Sequence, residues 1–272
     1  MPHVLFFDES GYIRTMLNST VAGRIDLTPE LMILQVKPDA GVPSFVPGQY
    51  VALGLPGSAP RYACAEAEPE APAPDKLIKR AYSISSSPNQ REFLEFYIAV
   101  VPSGALTSRL AMVKPGDRVF TQPKVTGTFT LDGVPDERNL VLVSTGTGLA
   151  PFMSMVRTEG TWIGGRKITI VHGVRYPEDF AYVDELASIR AANSSFEYLP
   201  ISSRAPESWD GNKGRVQRLF EDGTLRLDSS QDHVFLCGNP GMIEDLERLL
   251  GGIGYTTHSK KTPGNLSVEK YW

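Results

Sequence analysis

The apolar residues of this chain fall in two rhythms, and the change between them near Asn139 constrains the fold more than any other feature. From Asn139 on, apolar runs alternate with helical patterns: LVLVS, a glycine-rich turn, APFMSMVRTE, KITIVHGV, FAYVDELASIRAA, FEYLPISS, a segment around GRVQRLFED, HVFLCG and PGMIEDLERLLGGIG. Runs of that kind suit strands buried on both faces, so residues 137–272 are predicted to form an α/β doubly wound parallel sheet. Ligands on such sheets bind beyond the carboxyl ends of the strands. The residues just after each strand are therefore the ones to read for function.

Residues 19–136 have another rhythm. VAGRIDL, LMILQVK, QYVALGL, AYSISSS, FLEFYIAV and DRVFTQP read as short strands, punctuated by PDAGVP, PG and KPGD. One helical segment, about Leu106–Val113, interrupts them. Many short strands and one helix predict a small antiparallel β-barrel. Residues 1–18 stand ahead of it as an N-terminal extension. The stretch GSAPRYACAEAEPEAPAPDK at 57–76 has little to bury and reads as a mobile, acidic surface loop.

Charge and cysteine usage narrow the partners. The formal net charge of −4 is split evenly between the two halves, so neither offers a basic face for a phosphate backbone, and nucleic acid is not an expected partner. Two cysteines, Cys64 and Cys237, cannot build a disulfide framework or a four-cysteine cluster, and no metal site is expected. The N-terminus MPHVLFFDESGYIR lacks the pattern of a signal peptide, and no run approaches the roughly 20 residues that span a bilayer. A reducing, cytoplasmic setting without membrane contact is expected.

Six constellations could carry chemistry. In Lys79-Arg80-Ala81-Tyr82-Ser83, a strand puts Arg80 and Tyr82 on one face and Ala81 and Ser83 on the other. That offers a guanidinium fork for phosphate, a flat ring for stacking and a hydroxyl, or simply an edge strand. In Ser103-Gly104-Ala105-Leu106-Thr107-Ser108, a glycine turn opens a helix whose first amides suit an anion, unless Thr107 or Ser108 merely caps it. Ser144-Thr145-Gly146-Thr147-Gly148-Leu149-Ala150-Pro151 follows an apolar strand and lets a phosphate-bearing ligand approach the backbone. It is not the six-residue dinucleotide fingerprint, because Pro151 stands at the third glycine. Cys237-Gly238-Asn239-Pro240-Gly241 follows another strand, and its thiol is either a buried filler or a packing contact for a reactive ring. Ser202-Ser203-Arg204, with Lys213 and Arg215 further on, suits a phosphate monoester or is solvated charge. The chain ends Glu269-Lys270-Tyr271-Trp272, an aromatic pair that either docks on something flat or packs on the first domain.

Taken in order, RAYSISSSP at 80–88, FYIAVVPSGALTSRL at 96–110, STGTGLAPF at 144–152, HGVRY at 172–176, LCGNPGM at 236–242 and VEKYW at the end resemble the ferredoxin–NADP reductase family, and within it the bacterial ferredoxin/flavodoxin–NADP reductases. The resemblance spans roughly residues 19–272. It implies a barrel binding FAD non-covalently, followed by an NADP-binding domain. It implies that Arg80 holds the FAD pyrophosphate with Ala81, Leu106, Thr107 and Ser108. Tyr82 would stack on one flavin face and Ser83 would lie near flavin N5. Thr147 would lie between flavin and nicotinamide. Val174, Arg175, Ser203, Arg204 and Arg215 would hold the adenosine end of NADP, with Arg204 and Arg215 at the 2′-phosphate, and Asn239, Pro240 and Gly241 would line the nicotinamide side. An aromatic C-terminus implies the subgroup in which Tyr271 covers the other flavin face and Trp272 meets the adenine. Cys237 and Glu269 would belong to the catalytic set with Ser83 and Tyr271.

The implied reaction is hydride exchange between NADP(H) and flavin, then single-electron exchange with a ferredoxin or flavodoxin. Lys260, Lys261 and Lys270, with Arg109 and Lys114, are candidates for steering such an acidic partner. An NAD(P)H-dependent reductase serving an oxygenase or haem partner is the alternative, and a non-catalytic FAD sensor is the rival of another class.

Overall fold

The computed structural model describes residues 16–259 and 261–270. The chain forms two compact units. One holds the described residues up to Phe45 together with Gln49–Thr126; the other holds Val46–Gly48 and the residues from Gly127 on.

The first unit is a six-stranded antiparallel sheet: β1 (Ser19–Thr28), β2 (Leu31–Pro38), β3 (Tyr50–Pro56), β4 (Leu77–Ser83), β5 (Leu94–Ala99) and β6 (Arg118–Thr121), in the order β4-β3-β6-β1-β2-β5. Its core is apolar: Val21, Met32, Leu34, Val51, Leu53, Ile84, Phe96 and Leu110 are all essentially sealed from solvent. The fourth strand lies earlier than AYSISSS suggested, because it ends at Ser83. Beyond it, Ser85 N–H donates to the Glu95 carbonyl at 2.8 Å, Glu95 N–H donates to Ser86 Oγ at 3.1 Å, and Ser85 Oγ donates to Glu95 Oε1 at 3.1 Å. Serine hydroxyls thus join the two edge strands, β4 and β5, where a ladder was expected.

The helix in this unit, α1 (Thr107–Leu110), is much shorter than Leu106–Val113. After Leu110 the amides of Met112 and Val113 reach back only three residues, to Arg109 and Leu110, so the segment tightens into turns before Pro115-Gly116. Four residues carry little macrodipole, which removes the helix-terminus argument for anion binding there.

The second unit is the expected parallel sheet. It contains β7 (Asn139–Thr145), β8 (Ile168–Val174), β9 (Phe196–Ser202), β10 (Asn212–Lys213), β11 (Asp232–Gly238) and β12 (Leu266–Lys270), in the order β10-β9-β8-β7-β11-β12. The helices are α2 (Ala150–Val156), α3 (Val183–Ala192), α4 (Gln217–Glu221) and α5 (Pro240–Gly251). Every residue of β11 is buried, as a central parallel strand requires. The chain runs outward from β7 through β8 and β9, then returns to the other side of β7 at β11. The order therefore reverses between β7 and β11, which is where such sheets open a crevice. The tail contributes a strand the apolar pattern did not announce, with Glu269 registered opposite Cys237. Among the described residues no helix is long and apolar enough to cross a membrane, and no group of metal-ligating side chains is present.

Candidate functional site

In the first unit the sequence singles out Arg80, Ala81, Tyr82 and Ser83 at the end of β4. Register places Arg80 opposite Leu53, Ala81 opposite Ala52, Tyr82 opposite Val51 and Ser83 opposite Tyr50. Lys79, Arg80 and Ala81 are exposed in succession, so both faces of a paired strand are open at this point. Arg80 donates from Nη1 to the carbonyl of Lys79 at 2.8 Å and has no carboxylate partner among the described residues. Tyr82 packs edge-on to Phe96 with centroids 6.5 Å apart, and burial pushes its phenol well up. Its hydroxyl is sealed from water and meets no partner among the described residues. A buried orphan hydroxyl beside an open, unpaired guanidinium fits a ligand carrying polar groups and a phosphate.

The Leu106–Ser108 segment is more committed to the protein than expected. Leu106 is buried. Thr107 Oγ1 donates to the Val101 carbonyl and accepts from its amide, both at 3.2 Å. Ser108 Oγ accepts from Arg61 Nε at 3.0 Å and donates to the Ala105 carbonyl at 3.3 Å. The side chains close the turn, leaving backbone as its contribution to a ligand.

Beside it lies a cluster that the sequence reading missed. Arg109 is 2% exposed and holds Glu68 in a forked pair, at 2.7 Å to Oε1 and 3.0 Å to Oε2. It also donates to the carbonyls of Ala105 and Gly57 at 2.7 and 2.9 Å. Arg61 approaches the same carboxylate at 3.9 Å and keeps a buried Nη2 without a partner among the described residues. The hydrogen bond from Arg109 holds the Glu68 carboxyl below its ordinary pKa. Two expectations are corrected here. Arg109 is not a surface cation for steering a partner, and loop 57–76 is not loose. The loop is fastened by this pair and by backbone bonds Gly57 to Lys76, Ser58 to Pro74 and Glu66 to Pro102. A charge pattern embedded in Ala/Pro-rich sequence gave only a faint signal of it.

In the second unit the crevice is built by two close approaches. A Cβ on Gly148 would lie 2.3 Å from the carbonyl oxygen of Cys237, and one on Gly238 would lie 2.3 Å from Thr145 Oγ1. Gly238 also has φ +136°, which side-chain-bearing residues rarely adopt. Thr145 Oγ1 accepts from the Asn239 amide at 2.9 Å and ties the ends of β7 and β11 together. The turn Gly146–Leu149, which contains Thr147, follows directly and enters α2 with Pro151 in its first turn. A cradle with no room for side chains fits a ligand that approaches backbone.

Asn239 serves as the N-cap of α5, its Oδ1 accepting from Gly241 N–H at 2.9 Å and Met242 N–H at 3.3 Å, with Pro240 next in the chain. Cys237 is fully buried, and its thiol points at Glu269 Oε1, 3.9 Å away. Cys64 is exposed, and neither cysteine forms a disulfide among the described residues. Tyr271 and Trp272, like Lys260, lie outside the described residues. Lys270 lies 3.3 Å from Glu247 and 3.9 Å from Glu244 on α5, so it is engaged within its own unit.

The adenosine-end candidates cluster beyond β8 and β9. Val174 is buried at the end of β8, and its carbonyl accepts from the Ser203 amide at 3.0 Å and from Ser203 Oγ at 3.3 Å. The Arg175 carbonyl accepts from the Arg204 amide at 2.8 Å and from Ser202 Oγ at 2.8 Å. These bonds hold Arg175, Ser203 and Arg204 side by side, all exposed. The Arg204 guanidinium sits 5.9 Å above the Tyr176 ring and reaches its hydroxyl at 3.3 Å. Arg215 is exposed ahead of α4, and neither it nor Arg175 has an ion-pair partner among the described residues. Lys213, by contrast, donates to the Glu207 carbonyl at 2.6 Å. Two exposed arginines beside a serine, with a third on the segment after β10, fit a phosphate monoester.

Two family models match the chain, one described as an oxidoreductase FAD-binding domain over residues 31–129 and one as an oxidoreductase NAD-binding domain over residues 142–248. The chain is 33% identical over 239 residues to a ferredoxin–NADP reductase of Pseudomonas aeruginosa, covering 83% of this chain and 86% of that protein. It is 32% identical over 242 residues to a flavodoxin/ferredoxin–NADP reductase of Escherichia coli, covering 86% and 90%. Among solved structures, a ferredoxin NADP+ reductase from Neisseria gonorrhoeae with bound FAD and NADP superposes with a TM-score of 0.77 at 25% identity, over 93% of this chain and 97% of that one.

Proposed function

The chain belongs to the ferredoxin–NADP reductase family, and from that premise we propose that it exchanges electrons between NADP(H) and a one-electron carrier, a ferredoxin or a flavodoxin, through non-covalently held FAD. The observation that carries the coenzyme reading is the set of exposed cations, Arg175 and Arg204 beside Ser203 at the carboxyl ends of β8 and β9, with Arg215 exposed just beyond β10. In this reading residues 19–136 serve FAD, and residues 137–272 serve NADP and return a tail to the flavin.

Bound FAD would supply the redox chemistry, taking a hydride from NADPH at N5 and giving up electrons singly. The protein's own residues bind and orient. Arg80 would hold the pyrophosphate with the backbone of Ala81 and the Leu106–Ser108 turn. The partly buried Tyr82 ring would lie on one flavin face, with its orphan hydroxyl turned to the ligand, and Ser83 would stand near N5. Thr147 and the cradle floored by Gly148 and Gly238 would admit the nicotinamide nucleotide. Asn239, by capping α5, would keep Pro240 and Gly241 in place along its side. The thiol proton of Cys237, aimed at Glu269, defines a small polar spot at the end of β11, where the reacting ring would be placed. Val174 and Arg175 would support the adenosine, and Arg204 and Arg215 would face the 2′-phosphate. Tyr271 and Trp272 would cover the second flavin face and the adenine, as in the subgroup with an aromatic terminus.

The test is steady-state reduction of a ferredoxin or flavodoxin by the purified yellow protein with NADPH and with NADH. The expected result is a kcat/KM ratio strongly favouring NADPH. Equal use of both coenzymes would move the chain to the NAD(P)H-dependent reductase alternative. A bound flavin that neither coenzyme reduces would move it to a sensor.

A further inference from the structure

His172 lies in the middle of an apolar strand and has no part in the reading above. It is fully buried on β8. Its Nε2 lies 3.1 Å from the carbonyl oxygen of Gly146, and its Nδ1 lies 3.2 Å from the hydroxyl of Tyr198 on β9. A carbonyl only accepts, so Nε2 must carry the proton. In a neutral ring Nδ1 then accepts, and the Tyr198 hydroxyl donates to it. Phe180 closes the site edge-on, 5.5 Å from the imidazole, and stacks in turn on Trp209 at 6.0 Å. The direction of each hydrogen bond is thereby fixed: Tyr198 O–H to Nδ1, then Nε2–H to Gly146.

We propose that His172 is a positioning residue for the dinucleotide, acting through the Gly146 carbonyl to hold the Gly146–Leu149 turn, with Tyr198 selecting the ring tautomer that makes this bond. The geometry leaves it little else to do. The ring reaches no solvent, so it does not touch a ligand itself. Its donor ends on the first residue of the turn that carries Thr147 and Gly148, and Gly146 itself has φ +53°. That turn follows β7 at the reversal of strand order, so a shift of its backbone displaces the floor against which the coenzyme would lie. Burial keeps the imidazole neutral by pulling its pKa down to about 4, so the donor–acceptor order holds at neutral pH. The inference rests on the coenzyme reading for its kinetic consequence, but the tautomer does not.

The test compares three substitutions in the full-length, FAD-loaded protein. His172→Phe keeps the ring and removes both nitrogens. His172→Asn places an amide near Nδ1 and cannot reach Gly146. His172→Gln extends an amide N–H to the Nε2 position. Losing one buried neutral hydrogen bond is expected to raise both KM for NADPH and the NADP+ dissociation constant about tenfold in the Phe and Asn variants. In the same variants kcat and FAD content should stay within about twofold of the parent, and the Gln variant should recover most of the affinity. Affinity unchanged in all three, or lost equally in Gln and Phe, overturns the proposal, since ring packing alone would then explain the residue. If His172→Phe does not fold, Tyr198→Phe removes a single hydroxyl, and an unchanged KM there overturns the tautomer-selecting role. Nitrogen NMR of the imidazole gives a readout independent of coenzyme: the Nε2–H tautomer is expected at neutral pH, and the Nδ1–H form or an imidazolium overturns the assignment. A parent protein that NADPH does not reduce, yet which shows the Nε2–H signature, would refute the coenzyme reading and leave the hydrogen-bond assignment standing.

Discussion

Replacing Arg109 by Leu removes a guanidinium that is 2% exposed and donates to four acceptor oxygens: both of Glu68 and the carbonyls of Ala105 and Gly57. Removing one member of a buried ion pair typically costs about 3–5 kcal/mol, because the other charge is left uncompensated. Glu68 is 15% exposed and keeps Arg61 at 3.9 Å, so the lower end of that range applies, about 3 kcal/mol. At roughly 2–4 °C per kcal/mol for a chain of this order of size, Tm should fall by about 6–12 °C. The loss should concentrate in loop 57–76, which contains tryptic sites at Arg61 and Lys76. The assay is thermal unfolding of the FAD-loaded protein, paired with timed trypsin digestion at neutral pH. Cleavage at the two sites should accelerate at least about tenfold over the parent. The double variant Arg109→Leu, Glu68→Leu should recover much of the Tm, since an apolar pair replaces a broken ionic one. A Tm drop below about 2 °C with parent-like resistance to trypsin would refute the reasoning and leave the loop's backbone bonds as its sufficient anchor.

Further outcomes follow from the same geometry. Arg204→Ala and Arg215→Ala should each lower kcat/KM for NADPH by roughly one to two decades while changing NADH use little, as expected for a charge-assisted phosphate contact; equal losses with both coenzymes would exclude a 2′-phosphate role. Burial lowers the pKa of His172 to about 4 and that of His233 to about 3. Both take up protons more readily once unfolded, so stability is intact above about pH 6.5 and falls below it by up to about 1.4 kcal/mol per pH unit for each histidine, until the folded pKa is reached. Urea midpoints at pH 7 and pH 5 check this, and His233→Asn should flatten the dependence. Tyr271→Ser should tighten NADP+ binding and erode discrimination against NADH, if the phenol competes with nicotinamide for the flavin face; titration of the oxidised variant with NADP+, followed by flavin absorbance, reads it directly.

The two-part architecture is legible because parallel buried strands and barrel strands impose different apolar spacings, and the turns after LVLVS and HVFL fall on strand ends from the apolar pattern alone. Less visible was what depends on distance along the chain. Ser85 and Ser86 look like strand continuation, and only their meeting with Glu95 shows that hydroxyls take over from the ladder. The tail strand carries too few apolar residues to be read as buried until it is seen beside β11. Loop 57–76 was misread because low hydrophobicity normally means mobility; here a single carboxylate finds a buried arginine 41 residues away. His172 hides for the opposite reason, since one histidine in an apolar strand gives no hint of its two partners until the strands are aligned.

The serine seam between β4 and β5 also bears on how the sheet closes. A barrel closed by a full ladder must break several backbone bonds in register before its wall parts. Here serine hydroxyls and a backbone bond meet at Glu95, while β4 stays zipped to β3 and β5 to β2. Closure there depends on side-chain chemistry as well as on the backbone, so a change at Ser85 or Ser86 can act on the seam and leave both neighbouring ladders in register.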